Sequence, residues 1–506
     1  MHERAIVWSV AGSDSGGGAG IQADLRAFDA FGVHGCTAVA AITAQNSVAV
    51  QRVEAVTPDL LDAQLAALAE DLPPLAIKSG LLGSADNVRV LARWVRRLGV
   101  PLVVDPVWRA STGAAMVDDG LRAALRDELL PLASVVTPNR AEAAWLLGEA
   151  LDTSDAGRAL RSLGVGSVVV TGGDDGGEES RDVIDTPQAA GALASTRVAT
   201  RHNHGTGCVF ASSMAAALAL GFCEADAAVL AKMATTQALL HAGAAGQGAG
   251  SVRPQPGFAR RGELLPTFQP VGAPQASRPF EPMDGTMGLY AIVDDAAWME
   301  RLAAAGVRTV QLRIKQASAD VLDRQVRQAV AASERHGVRL FVNDHWRLAL
   351  QHRAYGVHLG QGDLGHADLD AIAAAGLRLG VSSHAPWEVA RARAVSPSYI
   401  ACGPIHPTVT KDMPWTPQGV HNLSYWCAVL DTPVVAIGGL DVARAGEAAR
   451  CGADGIAVLR GIVQADDLRA ATRSYLAAID EARREARLPS PDLPRPTLPP
   501  GALPTP

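Results

Sequence analysis

The sequence predicts an α/β protein in two parts, an open sheet with helices on both faces followed by a (β/α)8 barrel. Three observations predict it. Short apolar runs alternate with alanine-rich stretches of helical period along most of the chain. In the C-terminal part that beat repeats eight times. Proline-dense stretches at about 264–285 and from Leu488 onward punctuate the chain and match neither period.

The eight C-terminal runs are "GLYAIV" (288–293), "TVQLRI" (309–314), "RLFVN" (339–343), "GVHLG" (356–360), "RLGVS" (378–382), "YIACG" (399–403), "PVVAIG" (433–438) and "GIAVL" (455–459). A helical pattern follows nearly every one, which gives a parallel barrel at the small end of its size range. In the first part, "AIVWSVAG", "LAIKSG", "LVVDPV", "SVVTPN" and "VVVTGG" read as parallel strands. Longer loops and no eightfold beat make that sheet open. The expected boundaries are a first domain over 1–265, a linker over 266–285, a barrel over 286–487, and a proline-rich tail over 488–506. The tail is expected to be disordered, because its composition cannot build a core.

The net charge of −7 is spread without blocks, which argues against nucleic acid or an acidic membrane as partner. Six cysteines show no CxxC spacing, as suits a reducing cytoplasm. The N-terminus lacks the apolar region of a secretory signal, and no run of apolar residues is long enough to span a bilayer. The expectation is a cytoplasmic enzyme acting on small molecules, with homo-oligomerisation left open. Among 45 Lys+Arg only Lys78, Lys232, Lys315 and Lys411 are lysines, so each draws notice.

In a barrel of this kind the chemistry sits at the C-terminal ends of the strands. There, strand alternation puts Gln311, Arg313 and Lys315 on one side, an amide and two cations suited to a polyanion. Asn343 and Asp344 end the third strand, and Asp363 follows the fourth. Two carboxylates on neighbouring loops suit Mg²⁺, which keeps waters and phosphate oxygens as its other ligands. After the sixth strand, "GPIHPTVTK" offers Thr408, Thr410 and Lys411. Gly438, Gly439, Val458 and Leu459 fall where this fold often builds a phosphate site.

The set "QLRIK", "VND", "HLGQGD", "GVSSH", "GPIHPTVTK", "AIGG" and "GIAVL" resembles thiamine phosphate synthase, a TIM barrel, across about 284–485. The resemblance implies condensation of hydroxymethylpyrimidine diphosphate with thiazole phosphate, releasing pyrophosphate. It implies pyrimidine diphosphate contacts at Gln311, Leu312, Arg313, Ile314, Lys315, Asn343 and Lys411, with Mg²⁺ on Asp344 and Asp363. Arg313, Lys315 and Lys411 would act in catalysis. Thiazole phosphate would lie near Thr408, Val409, Thr410, Gly438, Val458 and Leu459, with Ser382 in the pocket. Arg460 departs from the serine common at that position in the family.

Glycines dominate "AGSDSGGGAGIQAD" (11–24), yet no Lys-Ser or Lys-Thr follows, so this is not a P-loop. In "HGTGC" (204–208), Gly205 and Gly207 let amides at a helix N-terminus converge on an anion. Cys208 at that terminus is expected to have its thiolate favoured. "TPNRAEA" (137–143) puts Asn139 and Glu142 where a strand turns into a helix, as a simple helix start or an outer clamp on a metal–nucleotide.

With "TAQNS", "IKSGLLGS" and "VVDPV", these motifs resemble hydroxymethylpyrimidine/phosphomethylpyrimidine kinase, of the ribokinase-like fold, over about 5–260. By resemblance ATP with Mg²⁺ is the phosphoryl donor and Asp24 and Gln45 hydrogen-bond the pyrimidine. Gly205 through Cys208 would form the anion hole, with Cys208 as the base. Some members carry a lysine where Thr171 stands, and Lys78 is a candidate replacement. The two activities are consecutive, so the expectation is one bifunctional enzyme. The alternatives are a kinase fused to a thiazole tautomerase, or to a barrel that senses a ligand without turnover.

Overall fold

The computed structural model describes residues 4–108, 118–173, 176–273, 276–408, 414–499 and 501–503. The chain forms two compact units, Met1–Val271 with Leu498–Leu503, and Gly272–Thr497.

The first unit is built on a ten-stranded sheet: β1 (Ile6–Asp14), β2 (His34–Gln45), β3 (Val50–Ala55), β4 (Ala76–Ser79), β5 (Leu102–Val104), β6 (Val135–Val136), β7 (Val168–Val170), β8 (Glu179–Asp185), β9 (Ala190–Thr196) and β10 (Thr267–Pro270). The spatial order is β10-β9-β8-β7-β6-β5-β4-β1-β2-β3. Its centre, β2-β1-β4-β5-β6-β7, is parallel, and β3, β8, β9 and β10 add antiparallel flanks. Alternate residues of the central strands serve opposite faces. Trp8, Val10, Ile77, Leu102, Val104 and Val136 join one large apolar cluster beneath the helices Pro58–Asp71 and Ala85–Leu98. The other face carries the helices Gly20–Phe31, Thr206–Ala219 and Glu224–Leu240. This is the open, doubly covered ribokinase-like sheet that the sequence predicts.

The second unit is a closed barrel of eight parallel strands. They are β11 (Gly288–Val293), β12 (Thr309–Leu312), β13 (Arg339–Asn343), β14 (Gly356–Leu359), β15 (Arg378–Ser383), β16 (Tyr399–Cys402), β17 (Val434–Ile437) and β18 (Gly455–Val458). Tyr290, Phe341 and Tyr399 pack edge to face inside it, with ring centroids 5.2–6.0 Å apart. Gly380 is required there, since a Cβ would overlap the Tyr399 ring.

Two boundary expectations are corrected. Four residues of the expected linker form β10, paired antiparallel with β9, and its Phe268 is buried. Proline at Pro270 is tolerated because β10 is an edge strand. Residues 280–284 also pack on the barrel: Arg378 Nε donates to the Pro282 carbonyl, and its Nη2 pairs with Asp284. The tail is not free where it is described. The Asn422 amide donates to the Arg495 carbonyl and accepts from the Arg495 N–H, at 2.9 and 2.7 Å. Thr497 Oγ1 donates to the His384 carbonyl, and Leu498 is fully buried. Composition misleads here because hydrogen bonds to the backbone, which proline leaves at every C=O, replace a core.

Candidate active sites

In the first unit a cavity of 570 Å³ opens at the C-terminal ends of the central strands. Strand β1 ends in Asp14, whose carboxylate gathers the glycine-rich turn. Oδ1 accepts from Gly16 N at 2.7 Å, and Oδ2 accepts from Gly18 N and Ala19 N at 2.9 and 2.8 Å. His204 Nε2 reaches the same Oδ2 at 3.1 Å, tying the turn to the helix Thr206–Ala219. Burial works against ionisation of Asp14, yet His204, Gln45 and the amides outweigh it and hold the carboxyl well below its ordinary range. Gly205 begins that helix with φ 87°, and a Cβ there would run into the Gly18 carbonyl. The first amides of a helix have no intrahelical acceptor. Those of Gly207 and Cys208 stand at the cavity wall, where an anion can take them.

Beneath the turn lies a buried charged cluster. Lys78 of β4 donates to both Asp24 oxygens, at 3.0 and 3.1 Å, and lies 3.4 Å from Asp105 Oδ2. Ser9 and Ser212 hydroxyls also donate to Asp24, at 2.6 and 2.7 Å. Asp24 is therefore saturated and does not line the cavity, unlike Gln45. The expected pyrimidine contact at Asp24 is corrected to a support for Lys78. Lys78 is itself too committed to stand in for a lysine at Thr171. The Cys208 expectation is corrected too. Burial, with Asp105 and Asp24 nearby, pushes its thiol far up despite Lys78 and the helix terminus. Desolvation outweighs the helix end, so the resting group is a thiol.

Asn139 and Glu142 form a reciprocal capping box on the helix Arg140–Leu147, with bonds of 2.8 and 2.9 Å, and both line the cavity. Farther along the wall, Lys232 pairs with Asp182 at 2.8 Å and donates to the Ser180 carbonyl and hydroxyl. Asp182 in turn accepts from Gly172 N, beside Thr171. Sequence reasoning missed Asp14, His204, Asp105 and this Lys232 pair. "AGSD" and "VVDPV" hold the first and third in plain view, each an acid closing an apolar run.

In the barrel, strand β12 stops at Leu312, so strand alternation does not carry on to Lys315, which is exposed. Gln311 is buried and donates to Tyr290 Oη at 3.1 Å. From there a polar chain crosses the interior: Tyr290 to Tyr399 at 2.9 Å, Tyr399 to His358 Nδ1 at 2.7 Å, and His358 Nε2 to Ser382 Oγ at 2.8 Å. Burial, helped by Arg313, pushes His358 down to about 3, so the imidazole is neutral. The structure thus connects Gln311 to Ser382, a link the sequence does not announce. A histidine and two tyrosines in otherwise apolar strands were its only trace.

Asn343 is buried at the end of β13, and Asp344 follows with φ 63°, a conformation aspartate tolerates at modest cost. Burial and the neighbouring Asp363 carboxylate push Asp344 up to about 6, with Arg313 and His345 opposing. Asp363 also caps its own short helix through Gly360 N. Among the described residues no cluster of three or more His, Cys, Asp or Glu could hold a metal. Two facing carboxylates do fit Mg²⁺, which binds through one or two carboxylates and retains water. Crowded negative charge is what such a cation relieves. Gly438 and Gly439 have φ 100° and 68°, and a Cβ on either would meet Pro404 or His406 of the preceding loop. Val458 closes β18 and Leu459 precedes the helical turn Arg460–Val463, whose Arg460 is exposed. Ile314, with its carbonyl near His345 Nε2, lies in the loop after β12. Thr408 is at the edge of the described chain; Val409, Thr410 and Lys411 lie outside the described residues.

The phosphomethylpyrimidine kinase family matches residues 14–253, and the thiamine monophosphate synthase family matches 289–462. The chain is 33% identical over 500 residues to the thiamine biosynthetic bifunctional enzyme TH1, chloroplastic, of Arabidopsis thaliana, covering 94% of each. It is 50% identical over 206 residues to the thiamine-phosphate synthase of Pectobacterium atrosepticum, covering 40% of this chain and 97% of that one. Among solved structures, the phosphomethylpyrimidine kinase of Clostridium difficile is 32% identical, covering 47% of this chain and all of its own, with a TM-score of 0.41. No helix among the described residues is long and apolar enough to cross a membrane.

Proposed function

The chain belongs to the bifunctional thiamine biosynthetic enzymes, with a phosphomethylpyrimidine kinase half and a thiamine-phosphate synthase half, and from that premise we propose how its residues divide the work. The first unit phosphorylates 4-amino-5-hydroxymethyl-2-methylpyrimidine and then its monophosphate, with ATP as donor. Gln45 and the glycine turn hold the pyrimidine, and the amides at Gly205, Gly207 and Cys208 face the transferred phosphoryl group. Cys208, a thiol at rest, takes the alcohol proton in the first step as it gives up its own. The second step starts from a phosphate already ionised and depends on positioning and charge neutralisation. Asn139 and Glu142 steady the metal–nucleotide from the outer sphere.

The barrel condenses the resulting diphosphate with thiazole phosphate. As the C–O bond to pyrophosphate breaks, positive charge grows on the pyrimidine methylene and negative charge on the leaving group. The cations Arg313, Lys315 and Lys411 stabilise the departing pyrophosphate more than the bound diphosphate. Mg²⁺ held by Asp344 and Asp363 supplies further charge neutralisation when bound. Ser382, fixed by neutral His358, orients the ring, while Thr408, Thr410 and the Gly438 and Val458–Leu459 backbone hold thiazole phosphate. No nucleic acid enters this scheme, and six free cysteines suit a cytoplasmic setting.

One observation carries the barrel reading: two facing carboxylates at the strand ends, with Arg313 beside them. A coupled assay tests the whole. ATP, Mg²⁺, hydroxymethylpyrimidine and thiazole phosphate should yield thiamine phosphate and pyrophosphate. Accumulation of pyrimidine diphosphate without thiamine phosphate would overturn the synthase assignment.

A further inference from the structure

Behind Cys208 the cluster around Lys78 is unbalanced. It holds one ammonium and two carboxylates, all nearly free of solvent: Lys78 and Asp24 are 0% exposed and Asp105 is 3% exposed. Asp24 is fully served, by both contacts from Lys78 and by the hydroxyls of Ser9 and Ser212. Asp105 is not. Its Oδ2 has no hydrogen bond and only a 3.4 Å approach from Lys78, although it is buried at the cavity wall. Cys208 lines the same cavity wall as that carboxylate, near enough for the two groups to interact electrostatically. Lys78 and Asp24 neutralise one another, so the surplus negative charge rests on Asp105, beside a thiol that borders the substrate cavity.

We propose that Asp105 is the terminal proton acceptor of the first phosphorylation, acting through Cys208. The inference rests on the reading of Cys208 as the group that meets the alcohol. As the alcohol oxygen forms its bond to the γ-phosphorus, the bond from that phosphorus to ADP breaks. The alcohol proton passes to Cys208 Sγ while the thiol proton passes to Asp105. No free thiolate need accumulate, which resolves why a base should sit where burial keeps it protonated. Burial likewise raises the affinity of Asp105 for a proton, against the pull of Lys78. Removing a negative charge from the cluster leaves Lys78 balanced against Asp24 alone. The proton then leaves Asp105 through the opened cavity after ADP departs. Asp105 is thus a positioning and proton-storing residue that never needs to touch the pyrimidine.

The test uses the full chain and two substrates, hydroxymethylpyrimidine and its monophosphate. Asp105→Asn preserves shape but cannot take the proton. It should lower kcat for the alcohol by about 10²-fold or more, the span typical of lost acid–base help. For the monophosphate the loss should stay below about tenfold, and KM for ATP should hold. The pH profile separates relay from mere packing. With Asp105→Asn only thiol already ionised can act, so the alcohol rate should climb about tenfold per pH unit, where the wild type is flat near neutrality. A retained melting transition of the kinase unit reports that it is folded, and Asp105→Ser, which also cannot take the proton, serves if the Asn variant is not. Equal losses on both substrates, or a pH profile parallel to the wild type, would overturn the relay. Cys208→Ala separates the two readings. If it loses the alcohol step while Asp105→Asn does not, the relay fails and the base stands. If Cys208→Ala keeps the alcohol step, the base reading fails and the relay with it.

Discussion

A single carboxylate, Asp14, holds two parts of the kinase cavity that are 190 residues apart in sequence. Its oxygens accept from three amides of the glycine turn and from His204, so the turn and the helix Thr206–Ala219 share one anchor. Asp14→Asn keeps the size but loses one charged acceptor, at about 1.5–3 kcal/mol for hydrogen bonds to a charged group. Kinase kcat/KM should fall at least about tenfold, a change of ~1.4 kcal/mol. A pH dependence accompanies it. The folded carboxyl is held below its ordinary 3.8, so its contribution is full above about that value and is lost as pH falls beneath it. Thermal melts of the full chain between pH 3 and 7 should show the kinase transition weakening on acidification in the wild type and less in Asp14→Asn. Parallel acid sensitivity in both would mean Asp14 contributes no charge-dependent stability.

At the scale of elements, β10 changes where the first unit can be cut. A fragment ending at Leu265 lacks Phe268 and uncovers the edge of β9, whereas one ending at Val271 retains both. The shorter fragment should melt several degrees lower and aggregate sooner, since a bare strand edge invites pairing. Equal melting temperatures for the two would show that β10 is dispensable. β10 escapes a reading by composition because one proline precedes its four residues, another ends them and a third follows soon after. The barrel strands were legible for the opposite reason: each is a short apolar run buried on both faces, such as "RLFVN" at Arg339–Asn343. β2 lies between these extremes. Its alanines in "HGCTAVAAITAQ" favour neither period, and only pairing with β1 settles it. In the sites, residue types at strand ends revealed Asp344 and Asp363. Which of two acids in "SDSGGGAGIQAD" meets the cavity depended on burial, which no spacing reports.

Across the whole molecule the chemistry is divided between units with separate cores. Asp344→Asn or Asp363→Asn should abolish thiamine phosphate formation, with loss of more than about 10²-fold, while pyrimidine phosphorylation stays within twofold. Distant sites without shared partners change independently as a rule. Equal loss of both activities in a folded variant would refute that division. Titrating Mg²⁺ with pre-formed diphosphate should show the wild-type barrel saturating where Asp363→Asn does not.

The ordered tail carries a further consequence. Residues 489–497 lie on the barrel as a peptide lies on a receptor, with the Asn422 amide reading the backbone at Arg495 and the His384 carbonyl reading Thr497. Tethering makes this contact intramolecular, at an effective concentration of the order of millimolar for a short link. Weak affinity therefore suffices to keep it closed. A chain ending at Leu488 should bind a synthetic peptide of residues 489–499 and regain the barrel stability it lost. Asn422→Ala should abolish that rescue, because the receptor amide would be gone. A proline-rich end of this kind behaves as a built-in ligand, and added peptide of the same sequence competes with it in the intact enzyme only at millimolar strength.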